Sequence, residues 1–202
     1  MKKKLLLQTL VLLLFVSCGK KNDEIEGAGF ADGKETADKY IKYTILEGHQ
    51  YCDKSAYVKI KCSELAFRVK FDSSAIYKTA NESNQNDINK LYGFSDNNAT
   101  HHEYSARFGW RWSNNALRLF AYVYNNSVVS YKEIGTVDLG VENSCSIKIV
   151  GDKYLFSLND LQITMPRAST TTSGEGYKLW PYFGGDEASP HTILIWIRET
   201  SS

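Results

Sequence analysis

Two neighbouring stretches carry the side chains best suited to hold a polar ligand: Arg107, Arg111, Arg118, Tyr122 and Tyr124. Guanidinium groups pair with carboxylate or sulfate in bidentate fashion, and phenol rings stack on the apolar faces of sugars. Their spacing has structural meaning. From Ser105 to Trp112, Ala106, Phe108, Trp110 and Trp112 alternate with Ser105, Arg107, Gly109 and Arg111, so a strand puts both arginines on one face. In the next stretch Leu117, Leu119, Ala121 and Val123 oppose Arg118, Phe120, Tyr122 and Tyr124. The expectation is a basic and aromatic sheet face fit for a glycan, which Arg68 and Lys70 would extend. The alternative is that the arginines solvate an exposed sheet and the tyrosines cover a loop. Trp110 and Trp112 share the parity of Phe108 and are expected in the core rather than on a sugar platform.

Other chemistries are less well supplied. His101-His102 follows Asp96-Asn97-Asn98 in an expected loop and has the residue type for a metal or a substrate. Asp186 and Glu187, after Gly184-Gly185, could offer hard oxygens to calcium, although a strand-to-strand loop explains the same residues. No metal ligand and no cofactor are assigned. A retaining glycosidase needs two carboxylates about 5–5.5 Å apart, and no expected strand carries such a pair. A lyase could draw a base and a charge-neutralising group from His101, His102, Tyr122, Arg107 and Arg111. No residue is assigned a catalytic role, and the balance leans against an enzyme. Beyond Cys18 the cysteines are Cys52, Cys62 and Cys145. Cys52 and Cys62 are candidates for a disulfide between two hairpin strands, with Cys145 left as a buried thiol. Zinc is disfavoured by the spacings. A formal net charge of +1 gives no global field for nucleic acid.

The elements that must position these residues are strands. Alternation or a short apolar run marks Tyr43–Leu46, Tyr57–Lys61, Leu65–Phe71, Ser105–Trp112, Leu117–Val123, Ile134–Leu139, Ser144–Val150, Tyr154–Leu158, Leu161–Met165, Tyr177–Tyr182 and Thr192–Arg198. Turns are expected at Asn114-Asn115, Asn125-Asn126, Asn143-Ser144, Gly151-Asp152 and Asn159-Asp160. Gln85 to Gly93 reads as a short helix capped by Asn86. Many short strands with almost no helix predict an all-β fold, an antiparallel β-sandwich of jelly-roll type, with a closed barrel as the alternative. Residues 41–199 form this domain, and no internal repeat suggests a propeller.

Lys2-Lys3-Lys4, an apolar run to Val16, and Ser17 before Cys18 make a signal-peptide pattern over residues 1–17. Phe15-Val16-Ser17-Cys18 resembles a lipobox, although Phe15 stands where that pattern prefers Leu. The resemblance implies that Cys18 carries the lipid and that the bilayer is a partner. Residues 18–40, rich in glycine and charge, read as a flexible polar tether. Lys20 and Lys21 followed by acidic residues look like the surface-export signal of Bacteroidota-type lipoproteins, and equally like a solvated linker. Ile88–Asp96, His101-His102, Ser105–Trp112 and Tyr182–Asp186 through Pro190-His191 together resemble a group of uncharacterised Bacteroidota lipoproteins. The strand layout is similar to concanavalin-like jelly rolls, a superfold of lectins, carbohydrate-binding modules, glucanases and lyases. These resemblances imply a lipid-anchored envelope protein, in the outer membrane and exposed at the surface. A surface carbohydrate-binding module is the first expectation. A protein-binding or structural lipoprotein is the second, and a polysaccharide lyase or glycoside hydrolase the third.

Overall fold

A computed structural model describes residues 39–200 as two six-stranded antiparallel sheets packed face to face. The first sheet runs β1 (Ile41–Ile45), β12 (Ile193–Glu199), β3 (Glu64–Phe71), β8 (Asn143–Val150), β9 (Lys153–Leu158) and β10 (Leu161–Pro166). The second runs β2 (Lys59–Cys62), β11 (Gly174–Leu179), β4 (Asn89–Ser95), β5 (Ser105–Ser113), β6 (Ala116–Asn125) and β7 (Val128–Val137). This is the expected sandwich of jelly-roll type. The signal peptide expected over residues 1–17 and the lipidation expected at Cys18 lie outside the described residues, as does all but the end of the tether expected at 18–40.

The period-2 pattern decides which face is buried. Leu65, Phe67, Val69 and Phe71 of β3 meet Ala106, Phe108 and Trp110 of β5 and Leu117, Leu119, Ala121 and Val123 of β6 in one core. Edge-to-face rings lock the sheets together, with Phe67 at 5.5 Å and Phe156 at 5.3 Å from Phe108 between centroids. Each such fully buried side chain contributes about 1.5–3 kcal/mol by leaving water. Trp110 is wholly buried and Trp112 packs on the same core, as their parity predicts. The β5–β6 hairpin turns on Asn114 and Asn115 at φ of 52° and 54°, a left-handed pair that asparagine tolerates better than other side chains.

Three expectations are corrected. Gln85 to Gly93 is not a helix: a 3-10 turn over Glu82–Asn86, capped by Asn81, gives way to strand β4. Gly93 lies where β4 presses on β5, and a Cβ there would stand 2.2 Å from the Ala106 carbonyl oxygen and 2.4 Å from the Arg107 Cβ. Glycine thus permits a strand contact that local propensity does not announce. The expected turn at Asn143-Ser144 is instead the start of β8. Cys52 and Cys62 are unbridged, because Cys52 pairs with Ile45 beside the first sheet while Cys62 lies opposite Gly174 in the second. Burial pushes the Cys62 thiol up to about 11, so it is protonated and unreactive at neutral pH.

Candidate functional site

The face of the second sheet turned away from the core carries a groove of about 610 Å3. Cross-strand register lines up its floor: Leu179, Gly93, Arg107, Tyr122 and Tyr131 are successive partners from β11 to β7, and of these Leu179, Arg107 and Tyr122 line the groove. Beside this row, Tyr124 faces Ser105, Ser105 faces Ser95, and the Ser95 hydroxyl accepts a hydrogen bond from the Tyr177 amide at 2.9 Å. Small residues in mid-sheet leave a hollow, and rings rise on either side. A loop around Tyr182 closes one flank, tied to β4 by reciprocal amide bonds between Lys90 and Tyr182 of 2.8 and 2.9 Å.

Arg107 dominates the electrostatics. It is only 7% exposed, its Nε has no hydrogen-bond partner, and no carboxylate pairs with it among the described residues. Its guanidinium lies 5.5 Å from the centre of the Tyr122 ring. Desolvation disfavours its charged form, yet arginine stays protonated in proteins. A cation–π contact returns roughly 0.5–2 kcal/mol, less than the several kcal/mol a buried unpaired charge costs.

A second cation stands across the same ring. Lys90 Nζ lies 4.6 Å from the Tyr122 centroid and donates to the Ile88 carbonyl. Burial, then repulsion by Arg107, pushes its pKa down to about 8. His101 is pushed down to about 4 by burial, then by Arg107 and His102, so its imidazole is neutral at physiological pH. The Tyr177 oxygen accepts from the His101 amide at 3.1 Å and sits 2.9 Å from its Nδ1. The Tyr182 hydroxyl donates to Gln50 Oε1 at 2.8 Å on the groove's flank. Among the described residues no Asp or Glu lines the groove, so it lacks the carboxylate pair of a glycosidase.

Of the five residues proposed from sequence, the groove gathers Arg107, Tyr122 and Tyr124. It does not gather Arg111 or Arg118. Arg111 lies 4.9 Å over Phe120 and donates to the Asn86 carbonyl at 2.7 Å, while Arg118 pairs with Glu133 at 2.8 Å and donates to the Ser113 carbonyl. Both are committed to holding neighbouring chain. Arg68 and Lys70 do not extend the face, because β3 belongs to the other sheet, where Arg68 pairs with Glu142 at 3.1 Å and Lys70 lies over Trp196. Glu187 is a loop clasp: its carboxylate accepts from the Ala80 and Asn81 amides at 2.8 Å each and from Asn84 at 2.9 Å, which engages one of the two carboxylates proposed for calcium. Among the described residues no three His, Cys, Asp or Glu side chains converge as a metal site. Sequence reasoning missed Lys90, hidden in the segment read as helix, and the parts played by Tyr177 and Tyr182.

The chain matches no protein-family model, and no curated protein is significantly similar to it in sequence. Among solved structures, alginate lyase AlyC3 superposes with a TM-score of 0.53 at 10% identity, covering 78% of this chain and 72% of that one. The same lyase in complex with dimannuronate gives a TM-score of 0.51 at 10% identity, covering 80% and 76%. At such identity the likeness establishes a shared jelly-roll sandwich and nothing of activity.

Proposed function

We propose that this protein binds an acidic carbohydrate, a uronate- or sulfate-bearing glycan, in the groove over β4, β5, β6 and β11. The observation that carries this reading is Arg107, a buried guanidinium with no carboxylate to neutralise it among the described residues. A bidentate anion on that group, with Lys90 as a second charge and the Tyr122 and Tyr124 rings as stacking surfaces, accounts for all four residues together. Dimannuronate, found with AlyC3, is an acidic disaccharide of the kind this groove would take. The anchor belongs to the same proposal: residues 1–18 address the protein to the cell envelope through lipid on Cys18, at the outer membrane and its exposed surface.

A glycan array probed with the full-length protein, with and without calcium, tests the reading. Retention of acidic sugars that Arg107→Ala abolishes, with thermal stability unchanged, supports it. A blank array, or retention untouched by Arg107→Ala, overturns it and favours a protein-binding or structural role. Cys18→Ser should release the protein from membranes and remove the lipid mass.

One observation favours a second reading, elimination from a uronate. Neutral His101 and its partner Tyr177 stand in the groove with Arg107, offering a proton acceptor and a hydroxyl beside a group that would neutralise the sugar carboxylate. The step would remove the proton from the carbon bearing the carboxylate and expel the neighbouring glycosidic oxygen as an alcohol, leaving a carbon–carbon double bond. Ultraviolet absorbance of unsaturated ends, growing with time on an acidic polysaccharide, would establish it; none would leave binding alone.

A further inference from the structure

A second cavity, of about 720 Å3, adjoins the groove and shares Tyr57 and Tyr177 with it. Those two rings lie 5.3 Å apart, so the boundary between the cavities is an aromatic pair. The second cavity lies against β2, the outermost strand of its sheet. Lys59 and Lys61 alternate along β2, opposite Tyr177 and Glu175 of β11. Glu175 is already engaged by Lys61 at 3.0 Å, by the Ser173 hydroxyl at 2.9 Å and by Asn98 at 3.3 Å. Lys59 is exposed and has no carboxylate within ion-pair distance among the described residues.

Rings connect the two cationic places. Tyr131 lies 6.1 Å from Tyr122, Tyr122 lies 5.9 Å from Tyr124, and Tyr124 lies 5.5 Å from His102. His102 is 4.1 Å from His101, which is 6.2 Å from Tyr177, the partner of Tyr57. The track runs from Tyr131 on β7 through the loop at His101 and His102 to Tyr177 on β11 and to Tyr57 just before β2. A terminal sugar would need one ring and one cation. An aromatic path with Arg107 and Lys90 at Tyr122 and Lys59 beyond Tyr177 suits a chain of several residues that carries repeated negative charge.

We infer that the β2 cavity is a second subsite of the same cleft, in which Lys59 pairs with a further acidic residue of the glycan, so that the protein takes an internal run of a polyanionic oligosaccharide rather than a chain end. The inference rests on the acidic-glycan reading of the Arg107 groove. Calorimetric titration of the full-length protein in detergent tests it, with mannuronate, galacturonate and heparin oligomers of two, four and six residues as probes. For the accepted sugar, affinity should rise about tenfold or more from dimer to hexamer, the scale of one added charge contact. Lys59→Ala and Lys59→Gln should each remove that gain and leave dimer affinity unchanged, while Arg107→Ala weakens every length. Affinity independent of length, or a hexamer gain that survives both Lys59 variants, overturns the second subsite and leaves the groove reading standing. Failure of all oligomers to bind overturns both.

Discussion

Two arginines are buried among the described residues, and their surroundings differ in kind. Arg167 is met by Asp96 through Nε at 2.8 Å and Nη2 at 3.2 Å, and its remaining donors go to the Thr171 and Ser173 carbonyls and to the Ser169 and Thr171 hydroxyls. Asp96 in turn accepts from the Tyr154 hydroxyl at 2.6 Å and from the Asn97 and Glu175 amides, so one carboxylate fastens β4 to β9, β11 and the segment after β10. Arg107 has rings where Arg167 has a carboxylate. Equal burial with opposite satisfaction separates a guanidinium that completes the fold from one on which the proposed ligand would sit. Burial alone, or charge alone, distinguishes neither.

The same substitution at both positions is the sharpest test. Arg167→Met leaves the Asp96 carboxylate buried and without its cation, and should cost about 3–5 kcal/mol in chemical denaturation. Arg107→Met removes a charge with no carboxylate partner among the described residues, so stability should hold or rise by about 1 kcal/mol, while affinity for the accepted glycan falls about 30-fold or more, the counterpart of roughly 2 kcal/mol. A large stability loss at Arg107 would erase the distinction.

Two titrations extend it. Hydrogen bonds from Arg167 and then Tyr154 outweigh the desolvation that raises the Asp96 carboxyl, and hold it below its ordinary range. Its contribution is therefore complete above a pH of about 4 and is lost as pH falls through the lowered value, a loss that Asp96→Asn should remove from the acid limb of the stability profile. Lys90 is also lowered, to about 8, which for an amine means that folding releases a proton between about pH 8 and 10. The unliganded protein should gain stability over that range, while affinity for an acidic glycan falls as the ammonium is lost. Lys90→Met should flatten both curves. The smallest effects belong to Arg111→Ala and Arg118→Ala, each expected within about twofold of the parent affinity and about 1 kcal/mol of its stability.

How much of this was legible follows from what periodicity can report. The parity of Ser105–Trp112 and Leu117–Val123 places Arg107, Tyr122 and Tyr124 correctly on the non-core face, because side-chain alternation is local. It cannot separate Arg107 from Arg111. Four residues along a strand are about 13 Å, enough to carry Arg111 out of the groove and under the 3-10 turn. The groove's other half depends on β11 lying beside β4, a pairing such as Leu179 with Gly93 that no local pattern encodes. β4 itself was missed because Asn86, Asn89 and Gly93 are helix-boundary residues by composition. Here the buried Asn89 amide donates to the Tyr77 hydroxyl at 3.0 Å and its carbonyl accepts from the Gly184 amide at 2.8 Å, tertiary bonds that replace the helix.

The place of β12 in the first sheet governs how the domain comes into being. It lies between β1 and β3, pairing Ile195 with Tyr43 on one side and with Phe71 on the other. The last strand of this domain in sequence is thus the middle rib on which two of its earliest strands depend. Until it is available, both expose open backbone to any passing neighbour, and the sheet cannot assemble in the order of synthesis. Cooperative folding therefore waits for the last strand, and trimming a handful of residues from β12 would unseat the beginning of the domain as surely as its end.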